Sequence, residues 1–295
     1  MMTLTHITHS DTKQRYGSEE TLPLLIIDSP LCSAVISLYG GQILEFQAKN
    51  KQPLLWLSPL AIFQQGKAIR GGVPICAPWF GAYRGEQSPN TTYPSHGFAR
   101  TSIWQEHSIS AQDDGTIHVC LALLDNSVTN AIYPAKFRME INFILSDTLS
   151  IEFSIANTGD KALKCEWALH SYFAIDDIAK TSIAGLENQE YVDSANDGKV
   201  ECLTDALTFD GQVDRYFIKS TESQTIQNST PVSVSGTNCN SVITWNPGAK
   251  LAANMADISE QYYAQFVCLE RGAIFDNQWH IEPMQSQTAR IMLGN

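Results

Sequence analysis

Apolar and polar residues alternate with a period of two along much of the chain. Phe137, Met139, Ile141 and Phe143 fall on one side of a segment whose other side carries Arg138, Glu140 and Asn142. Leu149, Ile151, Phe153 and Ile155 repeat the pattern against Ser150, Glu152 and Ser154. Leu163, Cys165, Trp167 and Leu169 do so again, opposite Lys164, Glu166 and His170. Successive strand side chains point to opposite faces, so each segment reads as a strand with one face in a core. The breaks at Asp147-Thr148 and Asn157-Thr158-Gly159-Asp160 are short and polar, as hairpin turns are, and predict three antiparallel strands in succession.

Further strands are predicted over residues 24–27, 34–38, 43–46, 117–124, 232–235, 242–245, 264–269 and 289–293. Helical spacing occurs once, where Leu251, Met255, Ile258 and Tyr262 mark one face of a short helix. Many short strands and almost no helix predict an all-β protein of packed antiparallel sheets. No Pro/Ser-rich linker interrupts the 295 residues, so the expectation is a single domain over 1–295, with about 1–20 a loosely ordered segment.

Residues 64–101 lack alternation and hold Gly66, Gly71, Gly72, Pro74, Pro78, Gly81, Gly85, Pro89, Pro94 and Gly97. A connection this long inside a domain is functional or disordered. Trp79, Phe80, Tyr83, Tyr93 and Phe98 argue against disorder, so a structured loop lining a cleft is expected.

Charge narrows the function classes. The formal net charge of -12 repels nucleic acid and anionic membranes, and no Lys/Arg run overrides it. No apolar run is long enough for a membrane helix, and the polar start of the chain has no signal-peptide pattern, so a cytoplasmic protein is expected. The seven cysteines form no CxxC pair, which leaves reduced, mostly buried thiols and no zinc or redox motif. Neither glycine cluster is a phosphate cradle of the GxxxxGK[ST] or GxGxxG kind.

Candidate chemistry centres on a few residues. His96 ends the long loop, and His170 falls on the polar face of a strand; on spacing alone the plainer reading of His170 is a solvent-facing position. Glu270, in Val267-Cys268-Leu269-Glu270-Arg271-Gly272, reads equally as a charge where a strand gives way to a turn. Arg70 and Arg100 lie inside the Gly/Pro-rich region, where an arginine fork suits a carboxylate or phosphate and loop-bracing ion pairs are the even alternative.

Taken in order, Ile69-Arg70-Gly71-Gly72-Val73-Pro74, Pro78-Trp79-Phe80-Gly81, His96-Gly97-Phe98-Ala99-Arg100, Leu169-His170-Ser171-Tyr172-Phe173, Val213-Asp214-Arg215, Trp245-Asn246-Pro247 and Val267-Cys268-Leu269-Glu270 resemble the hexose-6-phosphate mutarotases. These are the glucose-6-phosphate 1-epimerases of the aldose 1-epimerase, galactose-mutarotase-like superfamily. The resemblance implies a large antiparallel β-sandwich, the supersandwich of that superfamily. It implies His170 as general acid and Glu270 as general base, Arg70 and Arg100 gripping a phosphate, and His96 and Asp214 lining the sugar site. The Asn-x-Thr-Asn-His signature of galactose mutarotases is missing, which favours a phosphorylated hexose. Ser95 and Ala77 depart from the family's pattern, and residues 276–287 do not match it.

The implied reaction is anomer interconversion by ring opening, which needs one acid and one base. No metal and no cofactor are expected; the partner is a small-molecule sugar phosphate, with no nucleic acid and no membrane, and the protein is expected to be a monomer. The imidazole must then be charged at rest, which a neighbouring Glu270 or Asp214 would favour. An aldose 1-epimerase acting on an unphosphorylated sugar and a non-catalytic sugar-phosphate binder are the alternatives.

Overall fold

The computed structural model describes residues 5–89 and 91–294. Among these the strands form antiparallel sheets of four, eight, nine and two. The nine-stranded sheet is built around the segments of cleanest alternation. Phe137–Leu145 and Leu149–Asn157 form a hairpin, and Ile117–Leu124 pairs on the far side of the first. In the hairpin Phe137, Met139, Ile141, Phe143, Ile151, Phe153 and Ile155 are buried, and Arg138, Glu140, Asn142, Glu152 and Ser154 between them are only partly so.

The third strand of the predicted succession departs. Residues 163–169 form two short strands, Leu163–Cys165 and Trp167–Leu169, in two other sheets. The place beside Leu149–Asn157 is taken by Ser286–Gly294 from the far end of the chain. Asn157 accounts for the departure: its amide donates to the carbonyls of Lys161 (2.8 Å) and Ile281 (2.9 Å), which turns the chain away from the sheet.

The eight-stranded sheet positions the site. Its order runs Lys199–Cys202, Glu190–Asp193, Val213–Phe217, Ser241–Asn246, Phe266–Ala273, Trp167–Leu169 and Ile75–Cys76, with Tyr172–Ala174 also on Phe266–Ala273. One face meets the nine-stranded sheet: Trp167, Leu169, Phe217, Val242, Val267 and Leu269 join its apolar side chains in the main core. The other face carries two smaller apolar clusters. Trp56, Tyr172, Ala252, Ile258, Phe266 and Cys268 form one; Cys76, Phe80, Ala168, Ile243 and Ile274 form the other. Phe266–Ala273 is therefore buried along its whole length, and Glu270 lies within it rather than where it ends.

Two more expectations are corrected. The segment read as loosely ordered is structured from His6: His6–Asp11 pairs with Pro23–Asp28, and Thr12–Tyr16 is a helical turn capped by Asp11. Residues 1–4 lie outside the described residues. The predicted helix through 251–262 is two short ones, Gly248–Ala252 and Ser259–Tyr262. Between them Ser58 Oγ donates to the Asp257 carbonyl (2.6 Å) and the Asp257 carboxylate pairs with Arg70, pulls that a continuous helix does not accommodate. No helix among the described residues is long and apolar enough to cross a membrane.

Candidate active site

Strand register sets the centre. Leu169 is opposite Arg271 and Tyr172 is opposite Cys268, so the same register places His170 opposite Glu270. Cross-strand neighbours on one face have Cβ atoms about 5 Å apart. The side chains meet accordingly, with His170 Nδ1 and Glu270 Oε1 separated by 3.3 Å. The ladder continues outward, where His170 N donates to Pro74 O (2.9 Å) and Tyr172 N to Gly72 O (2.9 Å). That pairing holds the Gly-rich loop against the sheet. Gly72 adopts φ +63°, and a Cβ there would collide with the backbone of Ile43 and Leu44, so the close approach that delivers Arg70 requires glycine.

All six residues singled out from the sequence line one cavity of about 330 Å³: Arg70, His96, Arg100, His170, Asp214 and Glu270. Its centre is dry. His170 and Glu270 are 7% and 1% exposed. His170 Nδ1 and Glu270 Oε2 have no hydrogen-bond partner among the described residues. Buried polar atoms left unpaired are costly and concentrate where a ligand completes them.

Each remaining side chain is fixed by its own partners. His170 stacks on Tyr172, ring centres 4.7 Å apart and nearly parallel at 6°. Arg70 donates from Nε to Asp257 (3.0 Å) and from Nη1 to the Tyr172 hydroxyl (3.0 Å). Arg100 donates to the Ser95 carbonyl at 2.9 Å. His96 Nδ1 accepts from Gly81 N at 3.2 Å, which leaves Nε2 as the protonated, donating nitrogen of a neutral ring. The loop is braced from behind by Glu166, which accepts from Phe80 N (2.9 Å), from Phe275 N (3.1 Å) and from Arg84.

Burial dominates the electrostatics. It pushes Glu270 well above the ordinary carboxylate range, with the Asp214 charge adding to it and Arg100 opposing it. It raises Asp214 to about 6. It lowers His96 to about 3, helped by Arg100 and Arg70. His170 is held well below its ordinary value by burial first, then by His96, Arg70 and Arg100. The expectation of a charged resting imidazole is therefore corrected: the desolvation of a fully enclosed ring, with the Arg70 and Arg100 cations near it, outweighs any pull from Glu270.

The aldose 1-epimerase family pattern matches residues 23–291. The chain belongs to the aldose 1-epimerase family. Two proteins provisionally named glucose-6-phosphate 1-epimerase are similar to this epimerase-family chain. That of Escherichia coli is 32% identical over 263 residues, 88% of this chain and 86% of that protein. That of Salmonella typhimurium is 33% identical over 85% of this chain and 83% of that protein. The crystal structure of a provisionally named mutarotase from Salmonella typhimurium superposes with a TM-score of 0.84 at 29% identity, over 92% of this chain and 90% of that one. A galactose mutarotase related enzyme from Lactobacillus acidophilus shares the fold, with a TM-score of 0.72 at 15% identity over 92% of this chain and 96% of that one.

Several residues of the candidate site carried no signal of their own in the sequence. Tyr172 and Trp245 lay inside motifs without an assigned role, and Tyr216 and Asp257 stood out in no pattern. Asp257 meets Arg70 across 187 positions of sequence, a distance at which spacing carries no information.

Proposed function

We propose that this chain is a cofactor-free mutarotase that interconverts the α and β anomers of a hexose 6-phosphate, with glucose 6-phosphate as its substrate. The observation that carries the reading is the His170–Glu270 pair, set face to face and unsatisfied in a cavity that also holds Arg70 and Arg100. The likeness to relatives named for glucose 6-phosphate supports the choice of sugar.

In this reading Glu270 takes the proton of the C1 hydroxyl as the C1–O5 bond breaks, and His170 protonates O5. The open-chain aldehyde turns about C1–C2. His170 then recovers the O5 proton as O5 attacks the other face of C1, and Glu270 returns its proton to the carbonyl oxygen. Each group contributes about 10²–10⁴-fold to such a reaction.

The substrate itself answers the resting state of the imidazole. Arg70 and Arg100 are the two cations that, with burial, hold His170 neutral. A phosphate dianion between them offsets both and so favours the imidazolium, and an imidazolium 3.3 Å from Glu270 in turn favours the ionised carboxylate. The phosphate is remote from the breaking bond, so its binding energy also serves to orient C1 and O5. His96, through Nε2–H, donates to a sugar oxygen, and Asp214 accepts from a hydroxyl.

Polarimetry on anomerically pure glucose 6-phosphate tests the reading. His170→Ala and Glu270→Gln are each expected to lower kcat by about 100-fold or more while the fold is kept. Near-normal rates in both variants overturn the assignment. Arg100→Ala is expected to cost glucose 6-phosphate about tenfold or more in kcat/KM and free glucose little, the loss of a charge-assisted contact.

A further inference from the structure

Charge is divided between the two ends of the cavity. Register sets Glu270 between His170 on one side and Ile243 on the other. One strand further out, Tyr216 is opposite Ile243 and Asp214 is opposite Trp245. Neighbouring strands lie about 4.8 Å apart, so Asp214 and Tyr216 rise from a strand about 10 Å from the one that carries Glu270. Both cations belong to the other end. Arg70 is bonded to Tyr172, on which the His170 ring is stacked, and Arg100 to the carbonyl of Ser95 beside His96. The field of both arginines reaches His170, and that of Arg100 reaches Glu270. Asp214 feels Asp193 and neither arginine.

The far end therefore holds the two carboxylates of the cavity, Asp214 and Glu270, close enough that the charge of the first acts on the second. No lysine or arginine pairs with either among the described residues. The half-buried Asp214 has the neutral hydroxyls of Ser194 and Tyr216 for neighbours. Glu270 Oε2, in a side chain only 1% exposed, has no hydrogen-bond partner among the described residues. The Tyr216 ring stands beyond them, packed against Phe80 at 5.7 Å and Phe275 at 5.6 Å.

The connectivity of the sugar decides what meets this end. C1 is bonded to O5 on one side and to C2 on the other. With O5 at His170 and the C1 hydroxyl at Glu270, C2 points along the row away from His170, towards Asp214 and Tyr216. C5 and the phosphate-bearing C6 lie on the O5 side, where the arginines are. A substituent on C2 thus stands between the two carboxylates. A hydroxyl donates one neutral hydrogen bond there. An ammonium donates charge-assisted ones and offsets the repulsion between Asp214 and Glu270. It also favours the ionised Glu270, the form that takes the proton of the C1 hydroxyl. We infer that the chain also acts on 2-amino-2-deoxyhexose 6-phosphates, whose C2 ammonium is held by Asp214 together with Glu270. This rests on the mutarotase reading of the site.

The test follows anomer exchange at equilibrium by NMR, through the C1 resonances, so that no anomer has to be isolated. Glucosamine 6-phosphate, N-acetylglucosamine 6-phosphate and glucose 6-phosphate are compared near neutral pH, each corrected for its spontaneous rate. Glucosamine 6-phosphate is expected to exceed glucose 6-phosphate about tenfold in kcat/KM, the difference between a charge-assisted and a neutral hydrogen bond. The N-acetyl sugar, which carries no charge at C2, is expected to fall below glucose 6-phosphate. Asp214→Asn keeps the size of the side chain and removes its charge, and is expected to bring the ratio of amino sugar to glucose 6-phosphate back towards one. A ratio near or below one in the unaltered protein, an N-acetyl sugar as good as the amine, or a high ratio that survives Asp214→Asn overturns the amino-sugar assignment alone. No acceleration of glucose 6-phosphate overturns the mutarotase reading, and this assignment with it.

Discussion

His96 occupies the left-handed backbone region at φ +62°, an uncommon place for a residue with a side chain. The next residue explains how it is reached. Gly97 has φ +70°, and a Cβ there would strike Ala77 O, so the loop crosses Ala77–Pro78 in direct backbone contact. His96 N and Nδ1 both bond to Gly81, and the ring is fixed against Phe80 at 4.7 Å. Holding that ring neutral has a consequence for stability. Its folded value of about 3 lies below the ordinary 6.5, so the unfolded chain binds more protons between the two. The stabilising effect of a neutral His96 is complete above pH 6.5 and is lost as pH falls towards 3. Asp214 works in the opposite sense, since its folded value of about 6 exceeds the ordinary 3.8 and stability is lost as pH rises through that window. His96→Gln, which keeps an acceptor for Gly81 N, is expected to flatten the fall in Tm on the acid side. Thermal melts from pH 7 to pH 4 measure it, and parallel curves for the two proteins contradict the assignment.

Single residues also decide how elements begin and end. Asn246 closes the strand Ser241–Asn246 and is fully buried. Its amide donates to Tyr263 O (2.9 Å) and Phe266 O (2.8 Å), and its carbonyl accepts from Gly248 N (2.8 Å). One side chain thus ties the strand to the helical connection that follows and to the strand carrying Glu270. Asn246→Ala removes the side-chain partner of two buried backbone groups and one partly buried one, and about 3 kcal/mol of destabilisation is expected in urea unfolding. A loss below about 0.5 kcal/mol would mean that water satisfies those groups instead. At this scale the pattern of the sequence and the structure agree where one face of a strand meets a core and the other meets water, as in Phe137–Leu145 and Leu149–Asn157. They part where a strand is covered on both sides. Ser241–Asn246 and Phe266–Ala273 have no exposed face to break the run, so their full extent did not register. The exposed strand Gln105–Ala111 has almost no buried face, and it too went unread.

For the molecule as a whole, the site is where distant stretches converge on one face of the eight-stranded sheet. The loop at 64–101 brings Arg70, His96 and Arg100, the middle of the chain brings His170, and the last third brings Asp214 and Glu270. Asp257 joins this assembly from the connection between the two short helices, where it is ion-paired to Arg70 at 3.0 Å. Arg70 in turn bonds to Tyr172, on which the His170 ring is stacked. The helical connection therefore orients the arginine next to the reacting pair without lining the cavity itself. Asp257→Ala is expected to raise KM for glucose 6-phosphate about tenfold, a cost of about 1.4 kcal/mol, with a smaller change in kcat. Unchanged KM would show that the Tyr172 bond alone holds Arg70 in place.

The sequence alone determined the all-β character, several of the long strands, and the structured nature of the Gly/Pro-rich loop. Those features are local, because alternation and backbone-special residues act over a few positions. Ordered motifs added which residues to watch, and all six line one cavity. Only the tertiary structure decided which strands pair: residues 286–294 claim the place that proximity in sequence had given to 163–169. It alone placed Glu270 opposite His170 and Asp257 against Arg70, because register and ion pairing across a hundred residues or more follow from how sheets stack. It also decided the charge of His170. The sequence supplies a carboxylate neighbour that favours imidazolium, but desolvation depends on what surrounds the ring in space, and here burial prevails.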